Sequence, residues 1–156
     1  MQMTYRELKD EIAKIIPRNI EYEVDLEAGN IAIITTNMKP FTGQDGLIGK
    51  IARRIKRKIV LRTPIDAMMD MDEAKDVIND IIPEDADITE MYFDACYREV
   101  TIQCRQPGTA IGRRGENSNA IRDKTGWAVK VERTPPLFSK TVHDIRMYRQ
   151  THGDER

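Results

Sequence analysis

The chain has 156 residues, of which 40% are hydrophobic and 33% charged, and its 25 basic and 26 acidic side chains leave a net charge of −1. No apolar run reaches the length of a membrane span and no signal-peptide segment is present, so we expect a cytoplasmic protein with no membrane partner. Cys96 and Cys104 lack the spacing of a metal or redox motif, which favours two buried thiols rather than a disulfide or a metal site.

The first half of the chain predicts a helix, a hairpin, a second helix and a strand. An amphipathic helix over residues 5–16 ends before Pro17, because proline cannot continue the helical hydrogen-bond ladder. Alternating apolar residues predict a hairpin over residues 21–36, with its turn at 27–30. A helical region that contains glycine follows, and residues 58–62 predict a short strand.

The second half repeats this order. A helix is predicted over residues 72–82, with Asp72 as its N-cap, and Pro83 follows it. A hairpin is predicted over residues 88–105 and a closing strand over 127–132. Both halves end in Arg-Thr-Pro, at residues 62–64 and 133–135. An offset of roughly seventy residues indicates two tandem copies of one small domain rather than a solenoid.

The expected fold class is α+β, with two tandem domains that each pack helices on one face of a three-stranded sheet. We predict a first domain over residues 1–66, a second over 67–136, and a C-terminal exit helix and linker over 137–156. Met68, Met69 and Met71, at the junction, are interpreted as packing residues rather than ligands.

Charge is segregated along the chain although the total is almost neutral. Residues 47–64 contain seven basic and no acidic side chains, whereas residues 65–99 contain twelve acidic and two basic ones. Residues 100–136 turn basic again, with seven basic and three acidic side chains. Local fields of this kind can guide a polyanion. A solvated helix face gives the same pattern, and the sequence does not separate the two interpretations for residues 47–64.

The most informative segment is Ile111-Gly112-Arg113-Arg114-Gly115. Two glycines three residues apart suit a tight loop between helix ends, because glycine tolerates positive φ and lets another backbone come close. The helix that begins after the loop presents unpaired N–H groups and its positive dipole end. With two guanidinium groups in the loop, the expected ligand is a phosphate.

The second copy resembles a KH domain of type II. The matching segments are Pro107-Gly108-Thr109-Ala110-Ile111-Gly112-Arg113-Arg114-Gly115-Glu116, Ala120-Ile121-Arg122 and Thr125-Gly126-Trp127. The exit Arg133-Thr134-Pro135-Pro136 narrows the resemblance to the N-terminal tandem KH region of the archaeal ribonucleases and transcription termination factors related to the cleavage and polyadenylation specificity factor (CPSF). That family joins two KH domains to a metallo-β-lactamase and a β-CASP domain.

The resemblance implies a single-stranded RNA-binding module that presents transcript 3′ regions, expected to be U-rich, to an attached ribonuclease. In KH domains the GxxG loop clamps about four nucleotides of backbone. The residues expected to bind RNA are Ile111, Gly112, Arg113, Arg114, Gly115, Arg122, Lys124 and Lys130. Secondary contacts are expected from Lys50, Arg53, Arg54 and Arg57. Ile111 and Ile121 are also compatible with core positions, and Trp127 with packing rather than base stacking.

The first copy differs at the equivalent loop. Its Gly43-Gln44-Asp45-Gly46 segment has an acid and no cation, so we interpret it as a turn at a helix start. In the second copy, Thr109 and Ser118 stand where the KH pattern prefers apolar residues. The sequence therefore places the main phosphate contact in the second copy.

The sequence contains no recognisable pattern of catalytic residues or metal ligands. His143 and His152 do not form the histidine-rich motif of a metallo-β-lactamase site, so we expect no enzyme activity and no cofactor here. For the longer relative the resemblance implies zinc in the nuclease part, a homodimer, and RNA polymerase or transcription elongation factors as partners. Two alternatives stay open: a protein-interaction module that docks through acidic residues 65–99, and a stand-alone KH protein in ribosome or translation work.

Overall fold

A computed structural model describes residues 2–152; residue 1 and residues 153–156, part of the predicted linker, lie outside the described residues. The chain divides into two compact units, Met1–Pro64 and Ile65–Arg156, and each contains a three-stranded sheet. The α+β fold class and the C-terminal helix are confirmed. No described helix has both the length and the apolar character that crossing a membrane requires.

The first unit packs two helices on one face of its sheet. Its elements are α1 (Tyr5–Ile15), β1 (Glu23–Glu27), β2 (Asn30–Ile34), α2 (Leu47–Ile55) and β3 (Ile59–Arg62). The central strand β2 pairs antiparallel with β1 and parallel with β3. Ile12, Ile33 and Ile51 are fully buried in the core between helices and sheet. A capping box starts α1, because the Thr4 hydroxyl accepts from the Glu7 N–H and the Glu7 carboxylate accepts from the Thr4 N–H.

The second unit repeats this topology and adds helices. Its elements are α3 (Met71–Ile81), β4 (Ile88–Asp94), β5 (Glu99–Cys104), α4 (Pro107–Ile111), α5 (Glu116–Thr125), β6 (Ala128–Arg133) and α6 (Lys140–His152). The central strand β5 pairs antiparallel with β4 and parallel with β6. Ile78, Ile102 and Ile121 are fully buried in its core.

The start of α3 corrects one prediction. Asp70, not Asp72, is the N-cap, and its carboxylate accepts from the Asp72 N–H at 3.1 Å. Asp70 has extended backbone, which a cap requires, while Met71 already lies in the helix and packs against the core. The helix therefore begins at Met71, one residue before the predicted start.

Trp127 ties the start of β6 to the segment that precedes α3. Its indole N–H donates to the Met69 carbonyl at 2.8 Å, and the Met69 N–H donates to the Thr125 carbonyl at 2.8 Å. The ring is almost fully buried and meets Phe93 edge-on, with centroids 5.0 Å apart. Trp127 is therefore a packing residue, which is the interpretation that the sequence favoured over base stacking.

The C-terminal helix α6 lies on the side of the second sheet opposite to α3 and α5, and polar contacts hold it there. The Tyr92 hydroxyl and His143 Nδ1 are 2.8 Å apart, and Arg149 forms an ion pair with Asp94 at 2.6 Å. Gln150 accepts a hydrogen bond from the Phe93 N–H at 3.0 Å. The apolar side chains of the helix and of the segment before it are exposed, namely Leu137, Phe138, Val142, Ile145 and Tyr148. Hydrogen bonds and ion pairs rather than apolar burial therefore position α6.

Candidate nucleic-acid interface

The four residues from Gly112 to Gly115, which we call the GRRG loop, connect α4 to α5 in a backbone shape that needs glycine. Gly112 ends α4 with φ 76° and ψ 179°, and its N–H donates to the Gly108 carbonyl at 3.1 Å. Arg113–Gly115 forms one 3₁₀ turn, in which Arg114 (φ 52°) and Gly115 (φ 74°) have left-handed backbone. Three of the four loop residues thus have positive φ, which costs a non-glycine residue energy.

Gly112 is also required because α5 comes close to it. A Cβ at this position would lie 2.8 Å from Cγ of Glu116 and 2.9 Å from Nδ2 of Asn117. Asn117 in turn donates to the Thr109 carbonyl at 3.3 Å and so links α5 back to α4. Asn117 is a positioning residue that the sequence did not reveal, because an asparagine in a first helical turn carries no signal for this tertiary contact.

Substitution of Gly112 by alanine is expected to destabilise the second unit by about 2 kcal/mol, since the backbone strain alone is on the order of 1–3 kcal/mol. Gly108→Ala is the matched control, because Gly108 lies within α4 and nothing is within 4 Å of its added Cβ. The control is expected to raise stability by about 0.5–1 kcal/mol. Chemical denaturation followed by circular dichroism measures both. Equal midpoints for the two variants would show that the loop backbone is not constrained.

The two arginines of the loop are exposed and unengaged. Within residues 2–152, neither Arg113 nor Arg114 forms an ion pair or a side-chain hydrogen bond. Gly115 is the N-cap of α5 and has no side chain that could accept a hydrogen bond from the first N–H groups of the helix. The loop therefore presents two guanidinium groups beside a helix N-terminus that lacks a side-chain cap, an arrangement that favours an anion.

The other predicted residues of the second unit are spread over different surfaces. Ile111, at the end of α4, is 36% exposed beside the loop, whereas Ile121 is fully buried in the core. Arg122 is largely buried and lies 3.7 Å from Asp123. Lys124 is exposed in the last turn of α5, about 13 Å along the helix axis from Gly115. Of these four residues, the structure brings only Ile111 next to the GRRG loop.

Lys130 lies on β6, on the sheet face that α6 covers. Its ammonium is 3.2 Å from Glu132, and Arg146 of α6 contacts the same carboxylate at 3.3 Å. Burial raises the pKa of Glu132, but the Lys130 hydrogen bond and the Arg146 charge outweigh it, so the pKa lies below its ordinary value. Lys130 is therefore paired with a charged carboxylate and does not face the helical layer that carries the loop.

The equivalent turn of the first unit has a structural role. Gly46 is the N-cap of α2, and a Cβ there would overlap the Phe41 carbonyl oxygen. Gln44 and Asp45 are exposed and offer no cation. The predicted secondary contacts lie further along the chain: Lys50, Arg53 and Arg54 are on α2, and Arg57 follows it; all four are exposed.

Comparisons with known proteins give the family. The family model described as "Transcription termination factor FttA, KH domain" matches residues 2–68, which is the first unit. Transcription termination factor FttA of Methanothermobacter thermautotrophicus is 36% identical over 151 residues, 96% of this chain and 24% of that protein. FttA of Thermococcus kodakarensis is 32% identical over 152 residues, 97% of this chain and 24% of that protein. The chain belongs to the FttA KH-domain family.

The chain spans about a quarter of the length of these FttA relatives, since it covers 24% of each. Their similarity extends over both units, including the GRRG loop, which lies outside the segment that the family model matches. A solved structure, the crystal structure of APE1850, covers 85% of this chain and all of its own at 15% identity, but its TM-score of 0.33 is too low to support a fold argument.

Proposed function

We propose that this chain is an RNA-binding module that works in transcription termination and holds single-stranded RNA at the GRRG loop. The observation that carries the proposal is the loop itself, whose two arginines are exposed and unpaired among the described residues beside a helix N-terminus. Glycines at both ends let a sugar-phosphate backbone approach closely. The family supports the link to termination, because its relatives are named transcription termination factors.

The finer parts of the proposal come from the resemblance. RNA of U-rich sequence is the proposed ligand, and an attached zinc-dependent β-CASP ribonuclease in a longer chain is the proposed recipient of the bound transcript. RNA polymerase or elongation factors are proposed partners of the whole protein. Competition between uridine-rich and adenosine-rich strands tests the base preference, and equal competition would remove it without affecting the phosphate contact.

A titration with short single-stranded RNA, followed by ¹⁵N–¹H NMR, tests the main proposal. The resonances of the backbone amides near the loop are expected to shift, namely those of Gly112, Arg113, Arg114, Gly115 and Asn117. The resonances of the β4 amides are expected to stay unchanged. Binding should weaken as salt rises, because phosphate contacts release counterions. Shifts confined to surfaces away from the loop would contradict the assignment of the site.

A protein-interaction role is the second candidate. Its support is the dense acidic segment 65–99, whose Asp66, Asp72 and Asp80 fall in or near α3. RNA binding that is absent at low salt would favour this alternative.

A further inference from the structure

The first unit has an exposed cluster of positively charged side chains that lies outside its GxxG turn. The cluster, which we call the α2 basic face, consists of Lys50, Arg53, Arg54, Arg57 and Lys58, all of them exposed. Residues 47–64 contain no acid that could neutralise it from within the same segment. The turn before α2 has no cation of its own, so it cannot supply the arginine contacts that the GRRG loop offers in the second unit.

Helical geometry places the cations together. Lys50, Arg53 and Arg54 stand at positions i, i+3 and i+4 of α2 and therefore share one side of the helix. Ile51 and Ile55 bury the neighbouring side in the core. The helix dipole accounts for cations in the last turn, but not for Lys50 in the middle or for Arg57 and Lys58 beyond the end.

One carboxylate from α1 limits the charge of this face. Glu11 lies 2.6 Å from Nε of Arg54 and 2.7 Å from Nζ of Lys14. The hydrogen bonds from Lys14 and Arg54 lower the pKa of Glu11 to about 2, so the carboxylate stays charged at neutral pH. Arg54 is therefore engaged, whereas Lys50 and Arg57 have no ion pair within residues 2–152.

We propose that the α2 basic face is a second RNA-binding surface, which contacts phosphates without reading sequence and whose charge Glu11 reduces. The inference rests on the proposed function, because the polyanion it takes is the same single-stranded RNA. Charge complementarity selects the ligand, because three exposed cations on one side of α2 and two more just after the helix match a phosphate chain.

The loss-of-charge test is the variant K50E/R53E/R57E in the full chain. Its affinity for short single-stranded RNA is expected to fall at least tenfold. The slope of log K against log salt should become shallower by about 2, from three contacts at about 0.7 each on a single strand. The loss should be the same for uridine-rich and adenosine-rich strands. R6E/K39E/K140E is the matched control, because it makes the same change of net charge at three exposed residues outside both surfaces.

The gain-of-charge test is Glu11→Gln. Removing this carboxylate releases Lys14 and Arg54 for phosphates, so RNA affinity is expected to rise about threefold or more and the salt slope to steepen by about 1.4 for two added contacts. A rise in affinity on removal of one side chain is not expected from misfolding. The milder variant K50Q/R53Q/R57Q covers the case in which the charge reversals unfold the helix.

The two proposals fail separately. If K50E/R53E/R57E binds like its control while the GRRG loop variant R113D/R114D loses affinity, the α2 basic face is overturned and the proposed function stands. If R113D/R114D binds normally and K50E/R53E/R57E does not, the proposed site is overturned and this inference stands. Unchanged affinity in Glu11→Gln would also overturn the inference. RNA affinity that is unchanged in both K50E/R53E/R57E and Glu11→Gln would overturn the inference and would leave an acidic protein as the alternative ligand of this face.

Discussion

The R113D/R114D variant is expected to bind single-stranded RNA on the order of 100-fold more weakly than the unaltered chain. Each lost charge-assisted contact is worth about 1.5 kcal/mol, and two of them give about 3 kcal/mol. The salt slope should become shallower by about 1.4, because two phosphate contacts disappear. Fluorescence anisotropy at about 50 and 200 mM salt measures both quantities.

The fold should survive this change. Both arginines are exposed, and aspartate tolerates the left-handed backbone at position 114 better than most residues do. The variant R6D/K39D is a charge-matched control, since both residues are exposed and distant in sequence from the loop. If the control loses as much affinity as R113D/R114D, net charge rather than the loop governs binding, and the site assignment is wrong.

Trp127→Ala is expected to destabilise the second unit by about 3–5 kcal/mol, the cost typical of removing a large buried ring. The substitution removes the edge contact with Phe93 and leaves the Met69 carbonyl without its indole donor. In hydrogen exchange followed by mass spectrometry, peptides that cover β5 and β6 should lose protection, because these strands enclose the same core.

Trp127→Phe separates the two contributions of the side chain. It keeps an aromatic ring in the core but removes the hydrogen bond to Met69 and part of the buried ring volume, so a loss of about 1–3 kcal/mol is expected, smaller than that of the alanine variant. If the alanine variant is no less stable than the phenylalanine variant, packing of the ring contributes little, and the role assigned to Trp127 is wrong.

The repeat and its elements were predictable because local rules set them. Pro17 and Pro83 follow the ends of α1 and α3 closely, and period-two alternation marks the buried strands β2 and β5. The observed ends of these helices and hairpins fall within one or two residues of the predicted ones. The GRRG loop was predicted as a loop between helices from the spacing of its glycines and from the apolar and helix-like segments on either side of it.

What the sequence did not reveal depends on tertiary contacts. The hydrogen bond of Asn117 to the Thr109 carbonyl joins two helices, and no periodicity predicts it. Lys130 was predicted to bind RNA because it is a basic residue close to the GRRG loop in sequence. Side chains alternate between the two faces of β6, and Lys130 lies on the face that α6 covers. The contact of Glu11 with Arg54 links residues 43 positions apart, which composition cannot show.

The parallel pairing of the middle and last strands in each unit has a consequence for synthesis on the ribosome. In the second unit, β5 has one partner as soon as the hairpin emerges, but its other edge stays open until β6 has been made. The unit can complete its sheet only when Arg133 has left the exit tunnel, because non-local strand pairing waits for the whole intervening segment. A nascent chain that stalls before this residue would expose the unpaired edge of a strand rich in apolar residues, a surface that chaperones recognise.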